Sequence, residues 1–349
     1  MLRIGSITLP SPVVQAALSG YSDAPMRRLA RRFGVPYALH EVVLDKLVVQ
    51  PGKLQRKLLR VGADDHPVGG QLMGAEPAEF AAAAALMAES GYDVIDINFG
   101  CPVKKVLGRC RGGYLLSDPP TAIEIIRRVR DAVPPAIPVT LKMRRGMDDS
   151  PESERNFFTI LDAALAAGLA AVTVHPRTVR QRYMGPSRWE FLTRVRRHVG
   201  DRTLLGSGDL FTAEDVVRML AETGVDGVTV ARGCIGNPWI FAETAELLAG
   251  RPLPPPPDVP EQGRVIRLHF ELAEAEYGPR AAPLVMRKFG IKYSELHPSG
   301  TAVRDAYARA KTVEDWQRVL DEWYDPGRSW PPVQRKTTPG ELIAAGACQ

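Results

Sequence analysis

The most constraining feature of this 349-residue sequence is an alternation of β-rich and helical patterns between residue 13 and about residue 248. Helical patterns such as 76–90, 121–132, 152–167 and 213–222 separate most of the β-rich runs. The predicted strands are 12–18, 36–42, 67–73, 93–99, 138–144, 170–175, 203–208 and 227–232. Eight such units over about 240 residues predict an α/β fold, a (β/α)8 TIM barrel, with a doubly wound open sheet as the alternative.

A proline-rich segment ends this alternation. Residues 250–260 read GRPLPPPPDVP, and consecutive prolines favour an extended chain over a helix. Amphipathic helical patterns follow at 262–277, 281–293 and 313–323, with no strand candidate among them. We therefore predict a barrel catalytic domain at 1–249, a linker at 250–260, a small C-terminal helical domain at 261–325 and a tail at 326–349.

The composition argues against several other classes of protein. Hydrophobic residues make up 45% and charged residues 24%, as in ordinary globular domains, and no apolar run approaches the roughly 20 residues that cross a bilayer. The four cysteines form no CxxC pair, so neither a disulfide framework nor a metal site is predicted. Without a secretory signal pattern, we expect a soluble, cytoplasmic protein with no membrane association and no obligate protein partner.

Basic residues outnumber acidic residues only slightly, 45 to 40, but they are clustered. The four basic clusters lie within 27–32, 53–60, 104–111 and 194–197. A solvated helix face or an ordinary loop is the simplest interpretation of any single cluster. Four together favour a polyanionic partner, because Lys and Arg side chains neutralise phosphates.

Polar side chains recur at the carboxyl ends of the predicted strands, where barrels collect their functional groups. These strand-end residues are Gln71, Asn98, Lys142 and His175. Two glycine turns, Gly206–Asp209 after the seventh strand and Ala231–Gly233 after the eighth, predict a phosphate cradle. Glycines let backbone amides approach an anion, and Arg232 adds a bidentate donor. Any one of these residues could be a buried structural group, but their recurrence favours a ligand site.

Cys101 lies directly after a predicted strand, in the segment DINFGCPVKK. The neighbouring Lys104 and Lys105 favour a thiolate, which suits nucleophilic or proton-transfer chemistry. A loop cysteine without a chemical role is an alternative of equal weight when these residues are taken alone.

Ordered segments along most of the chain resemble the tRNA-dihydrouridine synthases, flavoenzymes that reduce uridines in tRNA. The matching segments are Ser19–Asp23, Gly70–Gly74, Asp96–Val106, Gly112–Leu116, Leu141–Arg144, His175–Thr178, Gly206–Asp209, Asp226–Gly233, Gly236–Trp239 and Arg287–Phe289. The resemblance implies FMN across the barrel mouth, tRNA as the substrate and NADPH as the expected reductant. It also implies that the C-terminal helical domain binds tRNA.

The resemblance further implies roles for individual residues. Ala16, Ala17 and Leu18 take the positions of an Ala-Pro-Met run that lies under the flavin in the family. The remaining FMN contacts are expected from Gln71, Lys142 and His175 at the ring and ribityl chain, and from Ser207, Gly208, Asp209, Arg232 and Gly233 at the phosphate. Cys101 matches the general acid, which protonates C5 of uracil after a hydride from flavin N5 reaches C6. The expected substrate contacts are Asn98, Lys104, Arg177, Arg287 and Lys288.

Two other functions are weighed against this one. An FMN barrel that acts on a small enone or dihydropyrimidine would need neither the basic clusters nor the helical domain. An RNA-binding barrel without catalysis would explain the departure at 16–18, but it leaves Cys101 and the phosphate cradle unexplained. Within the enzyme interpretation, Cys110 is the rival thiol, although it lacks the Gly-Cys-Pro setting.

Overall fold

The computed structural model describes residues 1–337 and contains eight parallel strands that close into a barrel. The barrel strands are Val13–Gln15, Tyr37–Leu39, Val68–Met73, Val94–Phe99, Val139–Arg144, Ala171–His175, Leu204–Ser207 and Gly227–Val230. The second strand pairs with the third through Ala38 and Val68, and the eighth returns to the first through Val228 and Val13. Each strand lies inside its predicted range, so the TIM barrel is confirmed.

Helices cover the outside of the barrel between successive strands. The helices of at least nine residues in this layer are Ala24–Arg32, Pro77–Glu89, Pro119–Ala132, Pro151–Ala166, Trp189–Val199, Ala213–Thr223 and Trp239–Leu248. Side-chain caps fix where several begin: Thr212 accepts a hydrogen bond from the Asp215 amide, and the Asp215 carboxylate accepts one from the Thr212 amide. Between the second and third barrel strands the chain forms a two-residue strand, Val43–Leu44, which pairs with the third barrel strand, and the short helices Asp45–Val48 and Lys53–Leu58.

An N-terminal hairpin, which the sequence patterns did not predict, closes one end of the barrel. Leu2–Ile4 pairs antiparallel with Ile7–Leu9. Apolar side chains of this hairpin pack against inward-facing strand residues such as Val94 and Leu205. This plug separates the barrel interior from solvent at the end opposite the strand carboxyl ends.

The part of the chain after the barrel is helical, as predicted. Its helices are Val259–Tyr277, Ala282–Ser294, Gly300–Arg309 and Val313–Trp323. The first begins two residues before the predicted start of the helical domain, because the Asp258 side chain caps it by accepting a hydrogen bond from the Glu261 amide. The helix at 300–309 escaped prediction because it buries only Val303 and Tyr307, too few positions for a clear periodicity.

The C-terminal helices pack directly on the barrel. The Tyr277 hydroxyl donates to the Asp23 carboxylate at 2.9 Å, and the rings of Tyr21 and Phe289 meet edge to face. One continuous hydrophobic core includes residues of both regions. The division into domains at 250–260 therefore stays a prediction. Of the predicted tail, residues 338–349 lie outside the described residues, and none of the helices in 1–337 is long and apolar enough to cross a membrane.

Candidate active site

A cleft of about 310 Å³ opens at the carboxyl ends of the barrel strands. Every residue predicted to contact the cofactor lines it, together with Cys101 and Asn98. The predicted cofactor residues in its wall are Ala16, Ala17, Leu18, Gln71, Lys142, His175, Ser207, Gly208, Asp209, Arg232 and Gly233. Residues far apart in sequence converge here because the parallel strands all end on one face of the barrel.

A hydrogen-bonded chain of polar side chains forms the floor of the cleft. The Gln71 amide nitrogen donates to Asp96 at 2.6 Å, and the Gln71 amide oxygen accepts from Asn98 at 2.7 Å. The Asn98 oxygen in turn accepts from the backbone amides of Gly100 and Cys101, at 2.9 and 3.2 Å. Burial raises the pKa of Asp96. The chain fixes the orientation of both amides and ties the Cys101 loop to the barrel floor.

Two further contacts hold the Cys101 loop. The Arg144 guanidinium donates from Nε to the Gly100 carbonyl at 2.9 Å, and the Gly113 amide donates to the Cys101 carbonyl at 3.1 Å. Gly112, with a φ of +58°, packs so closely that a Cβ there would lie 2.8 Å from the Cys101 Cβ. The Gly112–Gly113 pair is therefore required by close packing under the cysteine loop.

The structure distinguishes the two thiols of this loop. Cys101 is partly exposed and lines the cleft between Gly100 and Pro102. Cys110 is exposed in the turn after the short helix Lys104–Leu107 and is not part of the cleft wall. Cys101 is thus the thiol that a ligand in the cleft would meet.

Charged and polar groups on the fifth and sixth strands face the cleft. Burial, assisted by repulsion from Arg144, lowers the pKa of Lys142 to about 8. Burial and the surrounding cations hold the pKa of His175 well below its usual value, so this imidazole is neutral at pH 7. The His175 Nε2 atom is buried and has no hydrogen-bond partner within residues 1–337. An ammonium beside a neutral imidazole suits the polar edge of an aromatic ligand.

The loops after the seventh and eighth strands form a cationic corner of the cleft. The Arg232 guanidinium lies over the rings of Tyr183 and Phe211, 4.3 and 5.1 Å from their centroids. It also lies 3.7 Å from the Asp209 carboxylate. The two rings hold the guanidinium at the cleft wall, where it can bind an anion.

Glycines allow the two loops to pack this closely. A Cβ on Gly233 would overlap the Leu210 carbonyl oxygen, and one on Gly208, whose φ is +111°, would overlap the Ser187 hydroxyl. The hydroxyls of Ser187 and Thr229 are buried and have no hydrogen-bond partner within the described residues. Tight backbone packing beside unsatisfied donors is the arrangement expected of a phosphate cradle.

Arg177 and Asp209 form an ion pair behind the cleft wall. Arg177 is only 1% exposed and donates to both Asp209 carboxylate oxygens, at 2.6 and 2.8 Å. Asp209 also accepts a hydrogen bond from the Ser187 amide at 2.8 Å. The Asp209 carboxylate therefore holds the loops after the sixth and seventh strands together. Contact of Asp209 with the cofactor phosphate stays a prediction. Contact of Arg177 with a substrate stays a prediction, and in the structure this residue positions Asp209.

The other residues predicted for the substrate lie around the rim. Lys104 is exposed at the start of the short helix Lys104–Leu107, beside Val103 of the cleft wall. The Lys288 ammonium lies 5.4 Å from the ring centroid of Tyr21, another residue of the wall. Arg287 precedes it on the helix Ala282–Ser294 and is partly exposed.

Sequence reasoning gave no role to several further residues of the cleft, four of which have large side chains that contact its predicted ligand residues or its loops. They are Tyr21, Arg144, Tyr183 and Phe211. Tyr183 and Met184 are large, exposed and apolar side chains in the loop after the sixth strand. Two adjacent large apolar residues in a polar loop were the sequence signal that could have indicated a ligand-facing position here. Arg144 belongs to the matching segment Leu141–Arg144, but its role is visible only in the fold. It joins the cysteine loop to the 178–182 segment by donating hydrogen bonds to the carbonyls of Thr178 and Arg182.

The closed barrel and this cleft define a TIM-barrel enzyme with its site at the C-terminal mouth. A family model described as dihydrouridine synthase (Dus) matches residues 14–324. The chain belongs to the dihydrouridine synthase family.

Curated relatives agree with this assignment, and a solved structure agrees with the fold. A Mycobacterium tuberculosis H37Rv protein named "Probable tRNA-dihydrouridine synthase" is 37% identical over 332 residues, covering 92% of this chain and 84% of the relative. tRNA-dihydrouridine synthase B of Xanthomonas campestris is 32% identical over 325 residues, covering 93% and 96%. Histamine dehydrogenase from Rhizobium sp. 4-9 superposes with a TM-score of 0.56 at 15% identity, over 78% of this chain and 50% of that one, which is a likeness of fold alone.

Proposed function

We propose that this protein is a cytoplasmic tRNA-dihydrouridine synthase that reduces the C5=C6 bond of specific uridines in tRNA, with FMN as cofactor and NADPH as reductant. One observation carries the proposal: every residue that the family resemblance assigns to the flavin lines a single cleft, and Cys101 and Asn98 line it too. The names of the relatives, which are tRNA-dihydrouridine synthases, support tRNA as the substrate.

The cleft suits FMN on grounds of its own chemistry. It combines a partly buried Lys142, a neutral His175 with an unsatisfied Nε2 atom, and a cationic corner at Arg232. Gln71, Lys142 and His175 would hold the ring and ribityl chain, and the turns at 207–209 and 232–233 would hold one phosphate. When bound and reduced, FMN would supply the hydride that adds to C6 of uracil.

Cys101 is proposed to complete the reduction as general acid. Its thiol proton goes to C5, so that one hydride and one proton together saturate the double bond. Proton donation needs a fixed donor, and Asn98, Arg144 and Gly113 pin the backbone on both sides of the thiol. Asn98 uses its amide oxygen for this purpose and its nitrogen for Gln71, so it links the cofactor side of the cleft to the general acid.

Two of the four basic clusters are largely neutralised within the protein. Arg27 is buried against Asp65, and Arg28 pairs with Asp64 at 2.9 Å. In the cluster at 194–197, Arg196 pairs with Asp226 at 2.6 Å, and Arg194 pairs with Glu154. A structural role within the protein is therefore sufficient to explain the clusters at 27–32 and 194–197.

The other two clusters remain available to a polyanion. Lys53 and Arg56, and likewise Lys104, Lys105 and Arg109, are exposed and form no ion pair within residues 1–337. The 53–60 cluster also joins the C-terminal helices, because Arg60 pairs with Glu276 and Lys57 lies over the Tyr277 ring. We propose that these clusters, with Arg287 and Lys288, form one tRNA-binding surface that extends from the cleft rim onto the helical region.

Expression in a strain that lacks its own dihydrouridine synthases tests the proposal. Dihydrouridine should return at defined tRNA positions with the wild-type protein and not with the Cys101→Ala variant. If the soluble, FMN-loaded wild-type protein restores no dihydrouridine, the proposed function is wrong.

A further inference from the structure

After the helix Val313–Trp323, the chain returns to the barrel and packs behind the cationic corner of the cleft. Val333 is buried, and the Gln334 amide donates to the Leu296 carbonyl at 2.8 Å. Arg335 pairs with Glu243 at 2.6 Å. Lys336 donates to two backbone carbonyls of the barrel. Four successive residues of this segment, 333–336, are therefore anchored.

The two acceptors of Lys336 belong to one turn. Its ammonium donates to the Arg232 carbonyl at 3.1 Å and to the Ile235 carbonyl at 2.9 Å. The Lys336 side chain is only 14% exposed, and the nearest carboxylate, on Glu295, is 3.9 Å away. A largely buried cation thus directs two hydrogen bonds to the turn that carries Arg232 and Gly233.

The other carbonyls of this turn are also engaged. Ala231 accepts from the Cys234 amide at 3.2 Å, and Gly233 accepts from the Asn237 side chain at 3.3 Å. Lys336 supplies two hydrogen bonds to backbone carbonyls of the turn from outside its own loop. It also places a positive charge beside the corner, which favours an anion there.

We propose that Lys336 is a positioning residue for the cofactor phosphate: it holds the 232–235 turn in its binding geometry and adds positive charge behind it. The inference rests on the proposed function, since it takes the bound anion to be the FMN phosphate. It gives the segment after the last helix a role in cofactor retention.

The protonation of Lys336 gives a second test of the inference, because it predicts how FMN affinity depends on pH. Burial lowers the pKa of Lys336 to about 8, and the groups that face it are Glu295, Cys234, Lys292 and Arg232. The charged form is present below this pKa and disappears as the pH rises through it. FMN affinity should therefore fall between pH 7 and 9. An arginine at this position stays charged over that range.

The inference is tested by titrating the full-length apoprotein with FMN and monitoring binding through the quenching of flavin fluorescence. Lys336→Met should raise the Kd for FMN about tenfold at pH 7, because it removes a charged hydrogen-bond donor behind the phosphate. Lys336→Arg should lose less affinity than the wild type between pH 7 and pH 9. Lys292→Met is the matched control, since Lys292 pairs with the same Glu295 at 2.5 Å but makes no hydrogen bond to the turn.

The outcomes separate this inference from the proposed function. An unchanged Kd in Lys336→Met, or equal weakening in Lys292→Met, overturns the inference alone. If Lys336→Met does not fold, the wild-type and Lys336→Arg pH profiles decide, and parallel profiles contradict the inference. Lys142 titrates in the same range in both proteins, so only the difference between the profiles reports on residue 336. A wild-type protein that binds no flavin contradicts the proposed function together with this inference.

Discussion

The two sides of the cleft are built in different ways. On the side proposed for the cofactor, Arg232 is held between aromatic rings and Arg177 is buried against Asp209. Glycines on that side let backbone segments touch. On the side proposed for the substrate, the Cys101 loop is fixed at its backbone, but it opens onto Lys104 and other exposed cations.

This difference matches the ligands proposed for each side. A small ligand of constant shape is best bound by a preorganised pocket whose charges are already oriented. A large polyanion is best met by solvated cations that adjust to it and release counterions. The two sides should therefore respond differently to substitution, one in cofactor affinity and the other in chemistry and tRNA affinity.

The largest expected effect is that of Cys101→Ala. Loss of a positioned general acid should slow uridine reduction by about 10²–10⁴-fold. FMN affinity, NADPH oxidation and tRNA affinity should change little, because the loop is held by backbone contacts that alanine retains. Single-turnover reduction of uridine in tRNA is the measurement.

The matched control for this prediction is Cys110→Ala, which alters an exposed thiol in the same loop and should be mild. Normal turnover in Cys101→Ala together with abolished turnover in Cys110→Ala would mean that the wrong thiol has been assigned.

The next effect concerns the cofactor side. Arg232→Ala removes the guanidinium of the cationic corner and should weaken FMN binding by roughly ten- to a hundredfold. Uridine reduction should recover at saturating FMN. Arg188→Ala is the control, since Arg188 is half-exposed near the same mouth and pairs with Asp149. Equal FMN affinity in wild type and Arg232→Ala would place the phosphate elsewhere.

The smallest effect is expected at the rim. The combined variant Lys104→Ala, Lys105→Ala and Arg109→Ala should weaken tRNA binding several-fold to about tenfold. The slope of log affinity against log salt should become shallower by about one for each phosphate that is no longer neutralised. FMN affinity should stay unchanged.

Arg194→Ala provides the contrast, because Arg194 already pairs with Glu154 on the protein surface. A larger drop in tRNA affinity for Arg194→Ala than for the triple variant would reverse the assignment of the basic clusters.

Sequence patterns predicted the barrel because each strand is a short β-rich run bounded by turn residues. They also predicted which strand-end residues meet, since the barrel brings all carboxyl ends to one face. They could not separate paired from unpaired basic clusters, because Asp65 and Asp226 lie 38 and 30 residues from the arginines they neutralise. For the same reason, they could not find that Lys336 reaches the 232–235 turn across about a hundred residues.

The central claim is that the reduced flavin of this enzyme reduces uridine in tRNA. It is tested most directly by mixing the wild-type enzyme, with its bound FMN reduced, with an unmodified tRNA transcript under anaerobic conditions. Flavin reoxidation, followed by absorbance, should match dihydrouridine formation mole for mole, and a fully modified tRNA should leave the flavin reduced. A flavin that is reoxidised by a small enone but not by tRNA would contradict the account, and would identify an FMN barrel that acts on small molecules.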